Sequence, residues 1–220
     1  MKFASIAFNL IIAVTLVSCA GSNKEAAQTA DMTFFITGSG PGDGASLGGL
    51  EGADQYCTTL AASVGAGDMT WRAYLSTQST ETAPAVNARD RIGSGPWHNA
   101  EGVLVAQDLE SLHGENNLWT KATALDENGN VVNGRGDSPN RHDIITGTQL
   151  DGTAFEAGED KTCSNWTSNG EGSAQVGHHD RTGGGANPTS WHSAHGSRGC
   201  SQADLQGTGG DGLFYCFAVK

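Results

Sequence analysis

The sequence predicts an exported, loop-rich domain of short strands and one main helix, closed by disulfides. Three observations carry this prediction. Glycine accounts for 32 of the 220 residues, which favours turns and disfavours helix because glycine loses the most backbone freedom when it is ordered. An apolar run at the N-terminus is typical of an export signal. The chain also contains five cysteines, and exported chains are the ones in which disulfides persist.

The export signal is predicted over residues 1–18, which hold one cation, Lys2, followed by an apolar run. This segment is too short and too lightly flanked for a membrane-spanning helix, so a signal peptide is expected. Residues 16–19 read Leu-Val-Ser-Cys and resemble the bacterial lipobox, in which the cysteine is lipid-modified. Cys19 is therefore the expected lipidation site, the alternative being an ordinary signal peptide with an incidental cysteine. Residues 19–32 are small and polar and are predicted to form a flexible tether.

The main helix is predicted over residues 47–64, between two glycine-rich segments. Apolar residues recur there at three- and four-residue steps, which places them on one face of a helix. The members of this face are Ala53, Cys57, Leu60, Ala61 and Val64. Cys57 is therefore expected to point into the core.

Short strands are predicted before and after this helix, where apolar, aromatic and β-branched residues cluster or alternate. The strand segments are residues 33–37, 71–76, 89–92, 102–106 and 213–219. Between them we expect a turn at 95–99, a short helix at 108–113 with Asp108 as its cap, and a hairpin around the Asn-Gly pair at 128–129. Residues 146–212 are mostly loop in composition, so this long segment needs cross-links to remain compact.

Four cysteines remain once Cys19 is set aside, and an even number in an exported chain predicts two disulfides. Three pairings are available. The nested pairing joins Cys57 to Cys216 and Cys163 to Cys200, which ties the main helix to the last strand and fastens the loop-rich segment. It is favoured because each bridge then lies where regular structure is otherwise weak. Metal ligation by these cysteines is disfavoured, since no pair has Cys-x-x-Cys spacing.

Five segments share their order and cysteine placement with one known family. They are Leu47-Gly-Gly-Leu-Glu-Gly-Ala-Asp-Gln-Tyr-Cys57, Trp71-Arg-Ala-Tyr-Leu-Ser76, Thr162-Cys-Ser-Asn-Trp166, Cys200 and Leu213-Phe-Tyr-Cys-Phe217. Together they resemble the endostatin domain, and more closely its bacterial endostatin-like relatives, which are surface or secreted lectin-like domains. The resemblance spans residues 33–220. It implies a compact α+β fold of the C-type-lectin-like kind with the same two nested disulfides.

The functional sites of that family do not carry over to this sequence. Endostatin binds zinc through an N-terminal histidine-rich segment, whereas residues 20–35 contain no histidine. It binds heparan sulfate through arginines, whereas this chain has a formal net charge of −12. The Glu-Pro-Asn and Trp-Asn-Asp motifs of sugar-binding C-type lectins are also absent from the sequence. The ligand must therefore be sought in other residues.

A metal site is predicted in the loop-rich segment, where histidines cluster beside an aspartate. The candidate ligands are His178, His179, Asp180, His192 and His195. Neutral imidazoles beside a carboxylate suit zinc or another transition metal. The spacing matches no recognised site pattern, so the competing interpretation is a polar loop whose histidines bond to the backbone. Calcium is a second candidate ion, because aspartates are scattered through the glycine-rich loops.

A ligand-binding surface is predicted in the same segment. Four residues are its candidates: Trp191, His192, His195 and Asn187. Tryptophans can stack on sugar rings, but in a small domain they more often belong to the core. Trp166 is expected in the core because it lies three residues from a cysteine, and Trp191 is expected at the surface. Residues 135–137 read Arg-Gly-Asp, the tripeptide of integrin ligands, although these residues are also turn formers.

These features predict a non-catalytic, lectin-like binding domain anchored at a bacterial cell envelope by lipid alone. Its expected partner is a carbohydrate or an extracellular protein, with the domain at the outer membrane or cell surface in an oxidising compartment. Nucleic acid is disfavoured because an acidic surface repels phosphates. The alternative is a metal-dependent enzyme or metal-binding protein that uses the loop from His178 to His195. No catalytic residue is assigned, since no nucleophile elbow is evident.

Overall fold

The computed structural model describes residues 31–114 and 117–219, together with Met1. Within these residues the chain forms a mixed α/β fold of short strands and few helices. In chain order the elements are β1 (Phe34–Ile36), α1 (Gly49–Ser63), β2 (Trp71–Ala73), a 3₁₀ turn (Ala88–Arg91), β3 (Trp97–His98), β4 (Leu104–Ala106), α2 (Leu109–His113), β5 (Asp143–Ile145), a helical turn (Cys163–Trp166), β6 (Gln175–His178), β7 (His195–Gly196), α3 (Gln202–Thr208) and β8 (Tyr215–Ala218).

The predicted export segment and Cys19 lie outside the described residues, as does most of the predicted tether. Met32, at the end of that tether, is fully buried and belongs to the core. Across the part of the chain that the structure describes, every helix is too short or too polar to cross a bilayer.

The C-terminal strand β8 lies at the centre of the first sheet, between β1 and β2, and pairs antiparallel with both. Alternate side chains of a strand face opposite sides, and here each side is an apolar cluster. One side carries Phe214, Cys216 and Ala218, and the other carries Leu213, Tyr215 and Phe217. The predicted strand is thus confirmed, and its two faces explain why nearly every position in it is apolar.

The main helix is confirmed as α1, and its predicted face packs against β2 and β8. Ala53, Cys57 and Ala61 are fully buried, whereas Leu60 and Val64 lie at the edge of the same cluster. Helix and strand are joined by the disulfide Cys57–Cys216.

The second disulfide, Cys163–Cys200, fastens the loop-rich segment. Both predicted bridges are therefore confirmed, and two disulfides indicate an oxidising compartment. Cys163 begins a left-handed turn in which four consecutive non-glycine residues have positive φ, from 49° to 67°. The turn is held by Trp166, whose indole Nε1 donates to the Ser76 carbonyl at 2.8 Å. Trp166 is fully buried, as predicted.

The loop-rich segment contains more regular structure than its composition indicated. Strands β5, β6 and β7 form an antiparallel sheet in that order. Asp143 pairs with His178 between β5 and β6, and Val176 pairs with His195 between β6 and β7. These strands were missed because they are two to four residues long; β6 and β7 also carry histidine and glycine, which are weak strand signals.

Two predictions at residues 89–99 were wrong. The segment predicted as a strand at 89–92 overlaps the 3₁₀ turn Ala88–Arg91. The buried residues that begin and follow this turn, Ala88 and Ile92, are four apart, a spacing that one helical turn satisfies. The predicted turn at 95–99 contains strand β3, in which Trp97 pairs with Ala106 of β4.

The short helix and the hairpin are confirmed. Asp108 caps α2, because its carboxylate accepts from the Ser111 N–H at 2.8 Å. At the hairpin Leu125 and Val131 form an antiparallel bridge, and the Asp126 N–H donates to the Asn130 carbonyl at 2.9 Å.

The two disulfides should contribute unequally to stability, because they close loops with sequence separations of 159 and 37 residues. In the chain-entropy model these loops correspond to about 5 and about 4 kcal/mol. The double variant C57A/C216A should therefore lose about 1 kcal/mol more free energy of unfolding than C163A/C200A. Urea denaturation followed by tryptophan fluorescence measures both. The variants are matched, since all four cysteines are fully buried; a larger loss in C163A/C200A would contradict the expectation.

Candidate metal centre and adjoining pocket

Strands β5 and β6 bring a buried carboxylate against two imidazoles. Asp143 Oδ1 lies 3.1 Å from His142 Nε2 and 3.3 Å from His178 Nε2. All three residues are buried, and each can offer one ligand atom such that the three atoms lie within 4.8 Å of one another. Three ligand atoms this close together could hold a metal ion.

A fourth side chain reaches the same point from the neighbouring strand. His195 begins β7, and its Nε2 lies 3.0 Å from His178 Nε2 and 3.7 Å from Asp143 Oδ1. In a tetrahedral zinc site with bonds of about 2.0–2.1 Å, adjacent ligand atoms are separated by about 3.3 Å. The separations of His195 Nε2 from His178 Nε2 and Asp143 Oδ1 bracket that value. Among the described residues, however, only His142, Asp143 and His178 have ligand atoms that all lie within 4.8 Å of one another. We call His142, Asp143, His178 and His195 the His/Asp cluster.

The outer nitrogens of two imidazoles fix which atom faces the centre. His178 Nδ1 lies 2.7 Å from the Pro188 carbonyl, and His195 Nδ1 lies 3.1 Å from the Gly196 carbonyl. A carbonyl can only accept, so each Nδ1 carries the hydrogen and each neutral ring turns an Nε2 lone pair inward. Two lone pairs and a carboxylate therefore face one another, which is unfavourable unless a proton or a metal cation lies between them.

The carboxylate itself lacks a hydrogen-bond donor. Neither side-chain oxygen of Asp143 accepts a hydrogen bond, although both are buried. Buried polar atoms are nearly always paired, so two orphaned oxygens on one carboxylate require an explanation. The local field also favours positive charge: burial alone would lower the pKa of His178, but the Asp143 carboxylate 3.3 Å from its Nε2 and the Pro188 carbonyl at its Nδ1 raise it above its usual value.

The third imidazole is supported by a second carboxylate. His142 Nδ1 lies 3.5 Å from Asp180 Oδ1, and Asp180 accepts from the Arg135 N–H at 2.6 Å and the Thr182 N–H at 3.1 Å. Burial raises the pKa of Asp180, but these contacts together hold it well below its usual range. Asp180 is thus an ionised partner for His142, the carboxylate–histidine arrangement common around metals.

Glycines lie against the imidazoles of the His/Asp cluster, where there is no room for a larger residue. A Cβ at Gly183 would lie 2.5 Å from His178 Cε1, and one at Gly209 would lie 3.1 Å from His142 Nε2. Both residues also have positive φ, at 145° and 138°. The backbone therefore approaches the imidazoles more closely than any side chain would permit.

The structure brings together only part of the predicted ligand set. His178 and His195 belong to the cluster, and Asp180 lies behind it. His179 and His192 do not belong: their Nε2 atoms lie 3.0 Å from the Asn133 carbonyl and 2.8 Å from the Leu150 carbonyl. Backbone bonding, the competing interpretation, therefore holds for these two histidines.

Sequence reasoning missed two members of the cluster. His142 and Asp143 immediately precede the pair Ile144-Ile145, and a His-Asp pair leading into a β-branched run was the signal that could have revealed them. Strand β5 was not predicted, so nothing placed these residues beside the others.

Three of the predicted ligand-binding residues line a pocket next to the cluster. Asn187, Trp191 and His192 contribute to a cavity of about 380 Å³, whereas His195 faces the metal centre. Trp191 was expected at the surface, and this is wrong: it is 2% exposed. Its ring stacks on Trp119 with centroids 4.3 Å apart, so it contributes to the core and only its edge borders the pocket.

The Arg-Gly-Asp tripeptide forms an exposed turn, in which the Asp137 N–H donates to the Gly134 carbonyl at 3.1 Å. The Asp137 carboxylate is engaged by Lys121 and by the Gly134 N–H. Because the Arg135 N–H also donates to Asp180, this turn supports the carboxylate behind His142.

Comparison with known proteins adds no relative: the chain matches no protein-family model, and a search of the curated proteins finds no match. The resemblance to endostatin-like domains therefore stays a prediction, and function has to be argued from the geometry of the site.

His192 should make the fold sensitive to acid. Its burial, and then the nearby His113, lower its pKa from 6.5 to about 3. The unfolded chain therefore takes up a proton as pH falls through about 6.5, and stability is lost between that pH and about 3. Replacement of His192 by glutamine removes this titration. When the pH is lowered from 7 to 4.5, the free energy of unfolding of wild type should therefore fall by about 2–3 kcal/mol more than that of H192Q.

Urea unfolding of wild type and H192Q at pH 7 and 4.5 gives the change in unfolding free energy of each protein. Titration of all other groups is common to both proteins and cancels in the comparison. A free-energy difference that does not change with pH would contradict the expectation.

Proposed function

We propose that this protein is an exported metal-binding domain that holds one zinc ion in the His/Asp cluster. The observation that carries the proposal is the buried, unpaired carboxylate of Asp143, with the Nε2 atoms of three histidines 3.1–3.7 Å from one of its oxygens. A buried carboxylate without donors costs several kcal/mol unless a cation compensates it. A divalent ion at this point would accept every inward lone pair at once.

The donor set favours zinc over calcium. Calcium takes six to eight oxygen ligands, whereas the cluster offers three imidazole nitrogens and one carboxylate. Imidazole suits zinc and the later transition metals, and tetrahedral coordination by four such ligands is typical of zinc.

A non-catalytic role fits this arrangement best. Catalytic zinc sites keep one of their four positions for water, whereas structural sites fill all four with protein atoms. The metal would then cross-link β5, β6 and β7. An enzyme is the second candidate, favoured by one observation: His195 has a side chain 25% exposed and is the ligand farthest from Asp143, so water could take its position.

The wider role we propose is a lectin-like binding domain displayed at a bacterial envelope. The endostatin-like segments, the two disulfides and the pocket beside the metal centre support it. Its ligand would be a carbohydrate or an extracellular protein, and Cys19 would provide the membrane anchor.

Zinc binding should depend on the cluster and not on histidine content. Stripped of metal and titrated by calorimetry, the protein should bind one Zn²⁺ per chain. Loss of a residue that hydrogen-bonds to a metal ligand typically weakens metal binding about 10–100-fold. His178→Ala removes a ligand itself, so it should weaken zinc binding by more than that. His179→Gln is the matched control, because the neighbouring His179 bonds to a backbone carbonyl, and it should bind zinc as wild type does.

Asp143→Asn separates a metal site from a merely structural cluster. An amide can donate to a facing Nε2, so the metal-free variant should be at least as stable as the metal-free wild type. Zinc at 100 times its Kd should add about 2.7 kcal/mol to wild type and almost nothing to the variant. Equal zinc responses in the two proteins, or no zinc response in wild type, would refute the proposal.

The membrane anchor is tested by Cys19→Ser. Each buried methylene of an acyl chain contributes about 0.8 kcal/mol to membrane binding, so loss of the acylated cysteine should move the protein from the detergent phase to the aqueous phase on detergent partitioning. Ser18→Ala is the control, since it keeps a small residue before Cys19 and should leave partitioning unchanged. Retention of C19S in the detergent phase would show that the lipobox assignment is wrong.

A further inference from the structure

We propose that the pocket beside the His/Asp cluster binds one acidic sugar unit, a hexose-sized polyol with a single carboxylate, and that Arg181 recognises the carboxylate. The inference rests on the proposal that the domain binds a ligand through its loop region, and it names the ligand class. It does not require the pocket and the metal centre to depend on each other.

The walls of the pocket suit a polyhydroxylated ligand. The volume of about 380 Å³ lies in the range of small-molecule sites, about 300–1,000 Å³. Its polar lining residues carry amides and hydroxyls: Asn117, Asn187, Thr189 and Ser190. Such groups both donate and accept, as sugar hydroxyls do. The amides of Asn117 and Asn187 also donate to backbone carbonyls, which holds this wall of the pocket in place. Leu150, 51% exposed, supplies an apolar side for the C–H face of a ring.

The charge of the pocket is opposite to that of the protein. The chain has twice as many acidic as basic residues, 24 against 12, yet none of the described residues that line the pocket is acidic. Arg181 is its one permanently charged lining residue among those described. The two histidines of the lining, His113 and His192, have pKa values lowered by burial and are neutral at pH 7. A single cation suits a carboxylate monoanion, and the overall negative charge disfavours dianions such as phosphate.

The backbone at Arg181 adopts a conformation that disfavours a long side chain. Its φ is 56°, a left-handed conformation that costs a non-glycine residue about 1–2 kcal/mol. Glycine or asparagine would adopt it more readily, and Gly183 to Gly185 lie just beyond. Strained residues of this kind persist mainly at functional sites.

Arg181 is also held in place for recognition. Its N–H donates to the His178 carbonyl at 2.9 Å, which ties it to the end of β6. One guanidinium nitrogen, Nη1, donates to Asn117 Oδ1 at 2.7 Å. A guanidinium has five N–H donors in a planar fork, so this single contact orients the group and leaves donors for a bidentate carboxylate.

The test is a titration of the full chain, purified in detergent, with D-glucuronate and D-galacturonate against D-glucose and D-galactose. Binding is followed by tryptophan fluorescence, since Trp191 borders the pocket, and by calorimetry. At least one uronate should bind ten or more times more tightly than its neutral counterpart. Arg181→Asn should abolish this preference while stability stays equal or rises, because asparagine tolerates positive φ.

Arg198→Asn is the matched control: it removes the same charge from an exposed residue outside the pocket lining and should keep the preference. Asn117→Ala leaves the backbone at Arg181 unaltered and should weaken uronate binding. It is the variant to test if R181N is poorly folded. Equal binding of acid and neutral sugar, no binding of either uronate, or an unchanged preference in a folded R181N would overturn the proposal. Zinc content is measured in the same samples, and the uronate titration is repeated with H178A. If zinc binds but the uronate preference is absent, only the pocket proposal fails. If zinc does not bind but the preference is present, only the metal proposal fails.

Discussion

The fold depends on the burial of one strand, β8, between two apolar clusters. Its central pairing with β1 and β2 and its disulfide to α1 fix the C-terminal segment. That segment in turn places the site: the Ile145 N–H donates to the Leu213 carbonyl at 3.0 Å, and Asp143 forms a parallel bridge with Gly210. The strand that carries Asp143 is therefore aligned by the residues that lead into β8.

The alignment has an electrostatic cost at the His/Asp cluster. Asp143 has a side chain 2% exposed, and no described residue donates to either of its oxygens. The Nδ1 hydrogens of His178 and His195 point to backbone carbonyls. A protein does not bury an unpaired carboxylate without compensation. Either a proton shared with the imidazoles or a metal ion can supply the positive charge, and only a metal uses all four side chains as ligands.

The loop between β6 and β7 contributes to both the His/Asp cluster and the pocket. From β6 to β7 the chain passes through Arg181, the glycines that approach the imidazoles, and Asn187. Pro188 faces both sites, since it lines the pocket and its carbonyl accepts from His178. Ordering this loop through its two ends, His178 and His195, would limit the conformations that the pocket wall can adopt.

Features that rest on local pattern or on the chemistry of the chain could be predicted from the residues alone. The face of α1, the strand β8, the cap of α2 and the Asn-Gly hairpin follow from periodicity and turn residues, and the cysteine count with the nested argument led to both disulfides. The sequence also pointed to His178 and His195. The remaining features depend on the folded chain, because β5 to β7 are short and their pairings are non-local. Those pairings added His142 and Asp143, turned His179 and His192 toward backbone carbonyls, and buried Trp191 against Trp119.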